Sequence, residues 1–176
     1  KIRLTLAGRY TDLKLVSFGT DLSAKRFTPR AGLSVNVTKY TTAYALYDQA
    51  FIPQNGKLAN GGKVHPITGS NIEFGIKRDW AGGKWNTSLA AYKIVKNNEL
   101  TADPNSAPNS GLSVELGQKE SQGIEFDLHG RIMEGLQLVA NYAFTESKVT
   151  KVTDGVTSVK VGDIVPGYAK HTANAW

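Results

Sequence analysis

Histidines at positions 65, 129 and 171 are the residues of this 176-residue chain best suited to proton transfer or metal binding. His129 follows Asp127 by two positions, a spacing that puts both on one face of a strand, where a serine would complete a Ser-His-Asp arrangement. The same residues also serve, without any reaction, as a polar network on a wet face. The remaining parts of a catalytic site are missing: there is no Gly-x-Ser-x-Gly elbow, no His-Glu-x-x-His, no Walker motif and no dinucleotide fingerprint. The chain has no cysteine, which excludes disulfides and thiolate metal sites. "DPNSAPNSG" (103–111) lacks the alternating acidic ligands of a calcium loop and reads as a flexible connection. No catalytic residue and no metal ligand is assigned, and the chain is read as a non-enzyme.

The elements around those residues are strands. In "ESQGIEFDLHGRIMEGLQLVANYAFT" (120–145), Ile124, Phe126 and Leu128 alternate with Glu125, Asp127 and His129. Leu136, Leu138, Ala140, Tyr142 and Phe144 repeat the pattern on the second arm. Met133-Glu134-Gly135 makes the turn, with glycine at the positive-φ position of a three-residue hairpin. Eight extended segments follow this period of two, near 2–17, 28–37, 41–51, 70–80, 84–97, the two arms of this hairpin, and from about 167 onward. No convincing amphipathic helix and no apolar run near 20 residues occurs.

The connections alternate in length. Those near 38–41, 81–84 and 132–135 are short; those near 18–27, 52–69, 98–117 and 150–166 are long and rich in Gly, Asn, Pro, Ser and Lys. In an antiparallel meander one end then holds the tight turns and the other the long loops, as in transmembrane β-barrels. Most segments reach the 9–11 residues that a tilted membrane strand needs. Trp80 and Trp85 flank one short turn and Tyr40 sits in another, as in an interfacial girdle; a cross-strand tryptophan staple is the alternative. Alternation alone does not say which face is inside. Strand length, loop asymmetry and the girdle favour apolar faces on lipid, with Glu73, Lys77, Asp79, Glu125, Asp127 and His129 turned into a wet lumen. The fold class expected is all-β, an antiparallel transmembrane β-barrel.

The formal charge is +6 and the pI about 9.5, but the lysines are scattered, so a nucleic-acid partner is not expected. "KIRLTLAGRY" begins in mid-strand and "HTANAW" ends in an unpartnered segment, so residues 1–176 are expected to be part of a larger barrel domain.

Four blocks of sequence carry a resemblance. "YTTAYALYDQAFIPQNG" resembles the Tyr-x-x-Tyr-x-x-x-Phe-x-Pro-Gln strand and loop of TonB-dependent ferric-siderophore receptors. "GSNIEFGIKRDWAGGKWNTSLAAYKIVKNN", "GQKESQGIEFDLHGRIMEGLQLVANYAFTESKVT" and "VPGYAKHTANAW" are similar to three further blocks of that family, in family order. The resemblance implies a plugged barrel of about 22 strands in the bacterial outer membrane, of which about eight strands are here, without the plug or the terminal strands. It implies a receptor that takes up a ferric siderophore, energised by TonB through the plug. Iron arrives already chelated, so no cofactor is expected in this chain. The nearest kin resemble receptors for hydroxamate-type siderophores.

For that ligand the sequence offers Tyr47, Phe51 and Gln54, where the third strand climbs from a short turn toward a long loop. Aromatic rings at the mouth would pack on the flat or apolar parts of a chelate, although this strand equally allows Tyr47 to face lipid. Lys57, Lys63, Lys148, Lys151 and Lys160 would attract an anionic chelate or lipopolysaccharide phosphates, or be solvated loop charge. The expected partners are thus a ferric siderophore, TonB, and outer-membrane lipid and lipopolysaccharide. Two alternatives remain at this point: a small eight-stranded outer-membrane barrel with an enzymatic or adhesive role, and a soluble β-sandwich binding module.

Overall fold

Long segments of period two satisfy their backbone N–H and C=O groups by laddering with neighbours. The structure, a computed structural model, describes residues 1–17 and 20–176. In chain order the strands are β1 (Ile2–Ser17), β2 (Thr20–Asn36), β3 (Thr41–Ile52), β4 (Lys57–Leu58), β5 (Ile67–Trp80) and β6 (Trp85–Asn97). They continue with β7 (Leu100–Ala102), β8 (Leu112–Glu115), β9 (Gly117–Met133), β10 (Leu136–Val152) and β11 (His171–Ala175). One antiparallel sheet of eight strands runs β1-β2-β3-β5-β6-β9-β10-β11, a simple meander. A second sheet, β4-β8-β7, is built inside the connections.

The eight expected segments are the eight strands of the large sheet, with several ends moved. β2 begins at Thr20, so residues 20–27, expected as a long connection, are strand; Phe18 and Gly19 lie outside the described residues. β9 begins at Gly117, β10 runs on to Val152, and β11 starts at His171 instead of near 167. The three-residue hairpin turn is corrected to Glu134-Gly135, closed by a Met133–Leu136 pair. A register shift after Leu136 then leaves Ile132 as a bulge. Gly135 takes φ 78°, as that turn demands.

Register sorts the side chains into two faces. Ile72, Phe74 and Ile76 of β5 lie level with Leu89 and Ala91 of β6, and these with Ile124 and Phe126 of β9 and Tyr142 and Phe144 of β10. This apolar face is the exposed one: Phe74 is 61% exposed and Leu6 of β1 70%. The opposite face hides polar groups, with Thr28 at 8% and Ser147 at 6%. Among the described residues no side chain is fully buried in an apolar core. A soluble sheet protein shows the reverse. The sheet is inside-out, and its exposed apolar face needs an apolar covering from outside the chain. On β9 that face is apolar from Ile124 to Ile132 and gives way to Gln122 and Glu120, an apolar band of membrane-strand length.

Candidate ligand-facing surface

The polar face is joined across strands by its own side chains. Tyr44 Oη donates to Glu73 Oε1 at 2.7 Å, Ser121 and Ser147 hydroxyls meet at 2.7 Å, and Asn174 Nδ2 donates to Asn141 Oδ1 at 2.9 Å. The longest reach is that of Tyr92 on β6, which crosses Gly123 of β9 to meet Thr145 Oγ1 of β10 at 3.0 Å. A Cβ at position 123 would collide with the Tyr92 hydroxyl, so glycine is what lets one tyrosine tie three strands. The charge is mixed: Arg3, Arg9 and Arg30 on β1–β2 share their side with Asp48 of β3, and Glu73, Glu125 and Asp127 on β5 and β9 share theirs with Lys77.

At the loop end of this face the β2–β3 ladder stops at Arg30–Asp48 while both strands continue. A cleft of about 440 Å3 opens there between the parted strands, lined from the polar face by Arg9, Thr11, Thr28, Arg30, Asp48 and Ala50 and from the outward face by Gly8, Pro29, Gln49 and Phe51. Two guanidinium groups against the single carboxylate of Asp48 leave the cleft net positive, which suits anionic oxygens. Sequence reasoning did not single out Arg9 and Arg30, although both lie in segments expected as strands; the alternation of Thr28, Arg30 and Gly32 with Phe27, Pro29 and Ala31 was the available signal.

Above the strands the connections form an ordered cap. β4 pairs in parallel with β8, and β7 with β8 antiparallel. Leu58, Leu116 and Val156 are buried within these connections, which gives the cap its own small apolar interior. Asn105 Nδ2 donates to Gly155 O at 3.0 Å, tying the connection after β7 to the one after β10. "DPNSAPNSG" is held by Asp103, which accepts from Asn105 N at 3.1 Å and from the Ser106 hydroxyl. Among the described residues no cluster of potential metal ligands occurs.

Glu99 anchors the cap to the strands. Lys96 of β6 and Lys119 of β9 sit directly opposite each other, and Glu99 accepts from both, at 2.7 and 2.6 Å. Partial burial pushes the Glu99 carboxyl upward, but the bonds and charges of Lys119 and Lys96 outweigh it and hold the group below the usual carboxylate range.

The expected ligand residues fall in two places. Tyr47 pairs with Ile72 and Ala31, and Phe51 with Thr68, so both lie on the outward, apolar face and not on the polar one. Tyr47 stands at the edge of the apolar band, with Gln49 Nε2 donating to its hydroxyl at 2.6 Å, the position of an interfacial girdle residue. Gln54 braces the cap: its amide donates to His65 O at 2.7 Å and to Asn98 O, and accepts from Leu100 N at 3.3 Å.

The histidines are separated. His65 contacts Glu115 at 3.1 Å in the cap, and His171 bonds the Tyr142 hydroxyl at 2.8 Å on the outward face. His129 stands on the polar face beside Asn86, one pair below Ser88–Asp127. Among the described residues no hydrogen bond links His129 to Asp127 or Ser88. Lys148 pairs with Glu146 at 3.1 Å on β10, while Lys63 and Lys160 are in the connections.

A family model described as TonB dependent receptor-like, beta-barrel, matches residues 1–176. The chain belongs to that family. Among curated relatives, the ferric-pyoverdine receptor PbuA of a Pseudomonas species is 30% identical over 165 residues, covering 90% of this chain and 20% of that protein. The ferrichrome outer membrane transporter/phage receptor of Escherichia coli is also 30% identical, over 182 residues, covering 100% of this chain and 23% of the relative. The chain thus spans about a fifth to a quarter of these relatives. Among solved structures, the alcaligin outer membrane receptor FauA of Bordetella pertussis superposes with a TM-score of 0.73 at 26% identity, covering 99% of this chain and 30% of that one. The ferripyoverdine receptor of Pseudomonas aeruginosa gives a TM-score of 0.81 at 23% identity, with 99% and 23% covered. The eight strands are therefore a part of a TonB-dependent receptor barrel, with the apolar face outward.

Proposed function

We propose that the protein containing this chain is an outer-membrane receptor that takes up a ferric siderophore, energised by TonB through a plug seated against the polar face. The inverted sheet carries this reading, since an eight-stranded surface that exposes its apolar side needs a bilayer and reserves its polar side for a water-filled passage. The names of the curated relatives, receptors and transporters of iron chelates, supply the substrate class. The cleft beside Arg9 and Arg30, below the loop cap, is the contact we assign to an anionic part of the chelate. Gln54 serves the ligand by bracing the cap and Tyr47 by seating the barrel in lipid, while Phe51 walls the outward side of the cleft.

Deleting the full-length gene in its host should abolish uptake of one radiolabelled ferric siderophore, and removing TonB should do the same. Unimpaired uptake of every chelate tried would end the transport reading. In the full-length receptor, Tyr47→Ala should leave chelate affinity unchanged, while alanine at both Arg9 and Arg30 should weaken it roughly tenfold or more. The opposite ranking would return Tyr47 to the binding site.

A further inference from the structure

The short-turn end of the outward face carries an arginine without a counter-ion. Arg78 lies two residues before the end of β5, in one cross-strand row with Thr41 of β3 and Thr87 of β6. Register puts this row on the apolar face, between Ile76 and the Trp80–Trp85 pair. The guanidinium carbon stacks 4.1 Å from the Trp80 ring centroid, and Trp80 Nε1 donates to Thr87 Oγ1 at 2.9 Å. Among the described residues no carboxylate forms a salt bridge with Arg78. Its neighbour Asp79 points to the other face, where it accepts from Asn86 Nδ2 at 2.5 Å. Beside Arg78, Thr41 is 5% exposed, and its hydroxyl has no hydrogen-bond partner among the described residues. In the adjoining turn Lys39 stacks on Tyr40 at 4.7 Å.

A strand rises about 3.3 Å per residue and tilts by roughly 45°, so Arg78 stands about 5 Å from the end of its strand. That is headgroup depth. The anions available there are lipid phosphates, and a planar guanidinium held flat on a tryptophan keeps its free N–H edge for two phosphate oxygens. The Thr41 hydroxyl is covered by the protein, so the second group on this row open to such a ligand is the Thr87 hydroxyl, whose O–H remains a donor while its oxygen accepts from Trp80.

We infer that Arg78, fixed by Trp80 and flanked by Thr41 and Thr87, binds the phosphate of a phospholipid in the inner leaflet of the outer membrane. The site rests on the membrane reading above and adds a lipid ligand to it. Its effect is to fix the height and rotation of the barrel wall at β3–β6, through a contact that scattered surface lysines do not make.

The test uses the full-length receptor, purified in a phosphate-free maltoside detergent and titrated with phosphatidylglycerol by native mass spectrometry. Arg78→Gln should weaken the tightest lipid-binding step roughly tenfold. Arg78→Lys should fall between it and the wild type, and Lys63→Gln on an outer loop should change nothing. Heat-modifiable electrophoretic mobility reports barrel assembly separately. A normally assembled Arg78→Gln or Arg78→Lys barrel that binds the lipid as tightly as wild type would overturn the site while leaving the receptor reading intact. Equal loss in Lys63→Gln would reduce it to bulk charge. Equal binding of diacylglycerol, or displacement by inorganic phosphate at the lipid's own concentration, would remove the phospholipid.

Discussion

Glu99 and Gly123 illustrate how single residues hold a wall that has no core. Lys96 and Lys119 face each other across two strands, a repulsive pair unless something negative joins it, and the Glu99 carboxylate bonds both. Because its folded-state pKa is depressed, Glu99 stabilises the cap above its ordinary carboxylate pKa, and the contribution is lost as pH falls through the lower folded value. The stability difference between wild type and Glu99→Gln should accordingly be constant near neutral pH and vanish in acid, below the ordinary carboxylate range. Thermal unfolding of the full-length receptor across pH reads this directly, and a difference that persisted in strong acid would mean that packing, not charge, is lost. Gly123 acts through absence. Gly123→Val must push Tyr92 off Thr145, and losing that half-buried hydrogen bond costs about 0.5–1.5 kcal/mol. The double variant Gly123→Val/Tyr92→Phe should recover part of that loss; no recovery would assign it to the backbone near Phe144 instead.

Strands were legible wherever one face was consistently apolar. β5, β6, β9 and β10 alternate across the lipid-facing band, although the choice of the outward face needed strand length, loop asymmetry and the aromatic girdle. Their existence, and the sorting of their residues into two faces, followed from period. Their outer ends did not, because beyond the lipid both faces are polar: Gln118, Lys119 and Glu120 of β9 continue a ladder that hydrophobicity cannot mark. The same blindness hid residues 20–27 of β2. β3 was ambiguous for another reason. "TTAYALYDQAF" puts Tyr44 and Leu46 on one face and Ala43, Ala45 and Tyr47 on the other, so neither face is the polar one. Only pairing with Ile72 and Phe74 decides it. β4, β7 and β8 are too short to announce themselves, although Leu112, Val114 and Leu116 do alternate with Ser113 and Glu115. Facing can be tested at one depth on one strand. Leu89 points outward and Ser88 inward, so Leu89→Arg should cost assembly about 2–4 kcal/mol near mid-bilayer and Ser88→Arg little. Heat-modifiable mobility of the two full-length variants compares them, and equal tolerance would contradict the assigned faces.

For the whole molecule the sheet has two ends of different character, and that difference sets its orientation. The turns at 38–40, 81–84 and 134–135 are tight, while the connections after β3, β6 and β10 build the cap. In outer-membrane barrels the tight end faces the periplasm, which puts the cap on the cell surface and Arg78 at the inner leaflet. The absence of cysteine from this chain makes the orientation measurable. Lys63, Ala107 and Asp154 are exposed cap residues, and Lys84 and Glu134 are exposed in tight turns. Lys84 is preferred to its neighbours Gly82 and Gly83, whose φ values of 70° and 88° would strain a cysteine. Each position is changed to cysteine in the full-length receptor, after replacement of any cysteine outside this chain, and intact cells are treated with a bulky membrane-impermeant thiol reagent. The three cap cysteines should label on whole cells, and the two turn cysteines only after the envelope is opened. The reverse pattern would invert the barrel and put the cleft of Arg9 and Arg30 out of reach of any ligand arriving from outside. Labelling of all five on intact cells would mean that the strands do not cross the membrane, and the exposed apolar face would then need a protein partner in place of lipid.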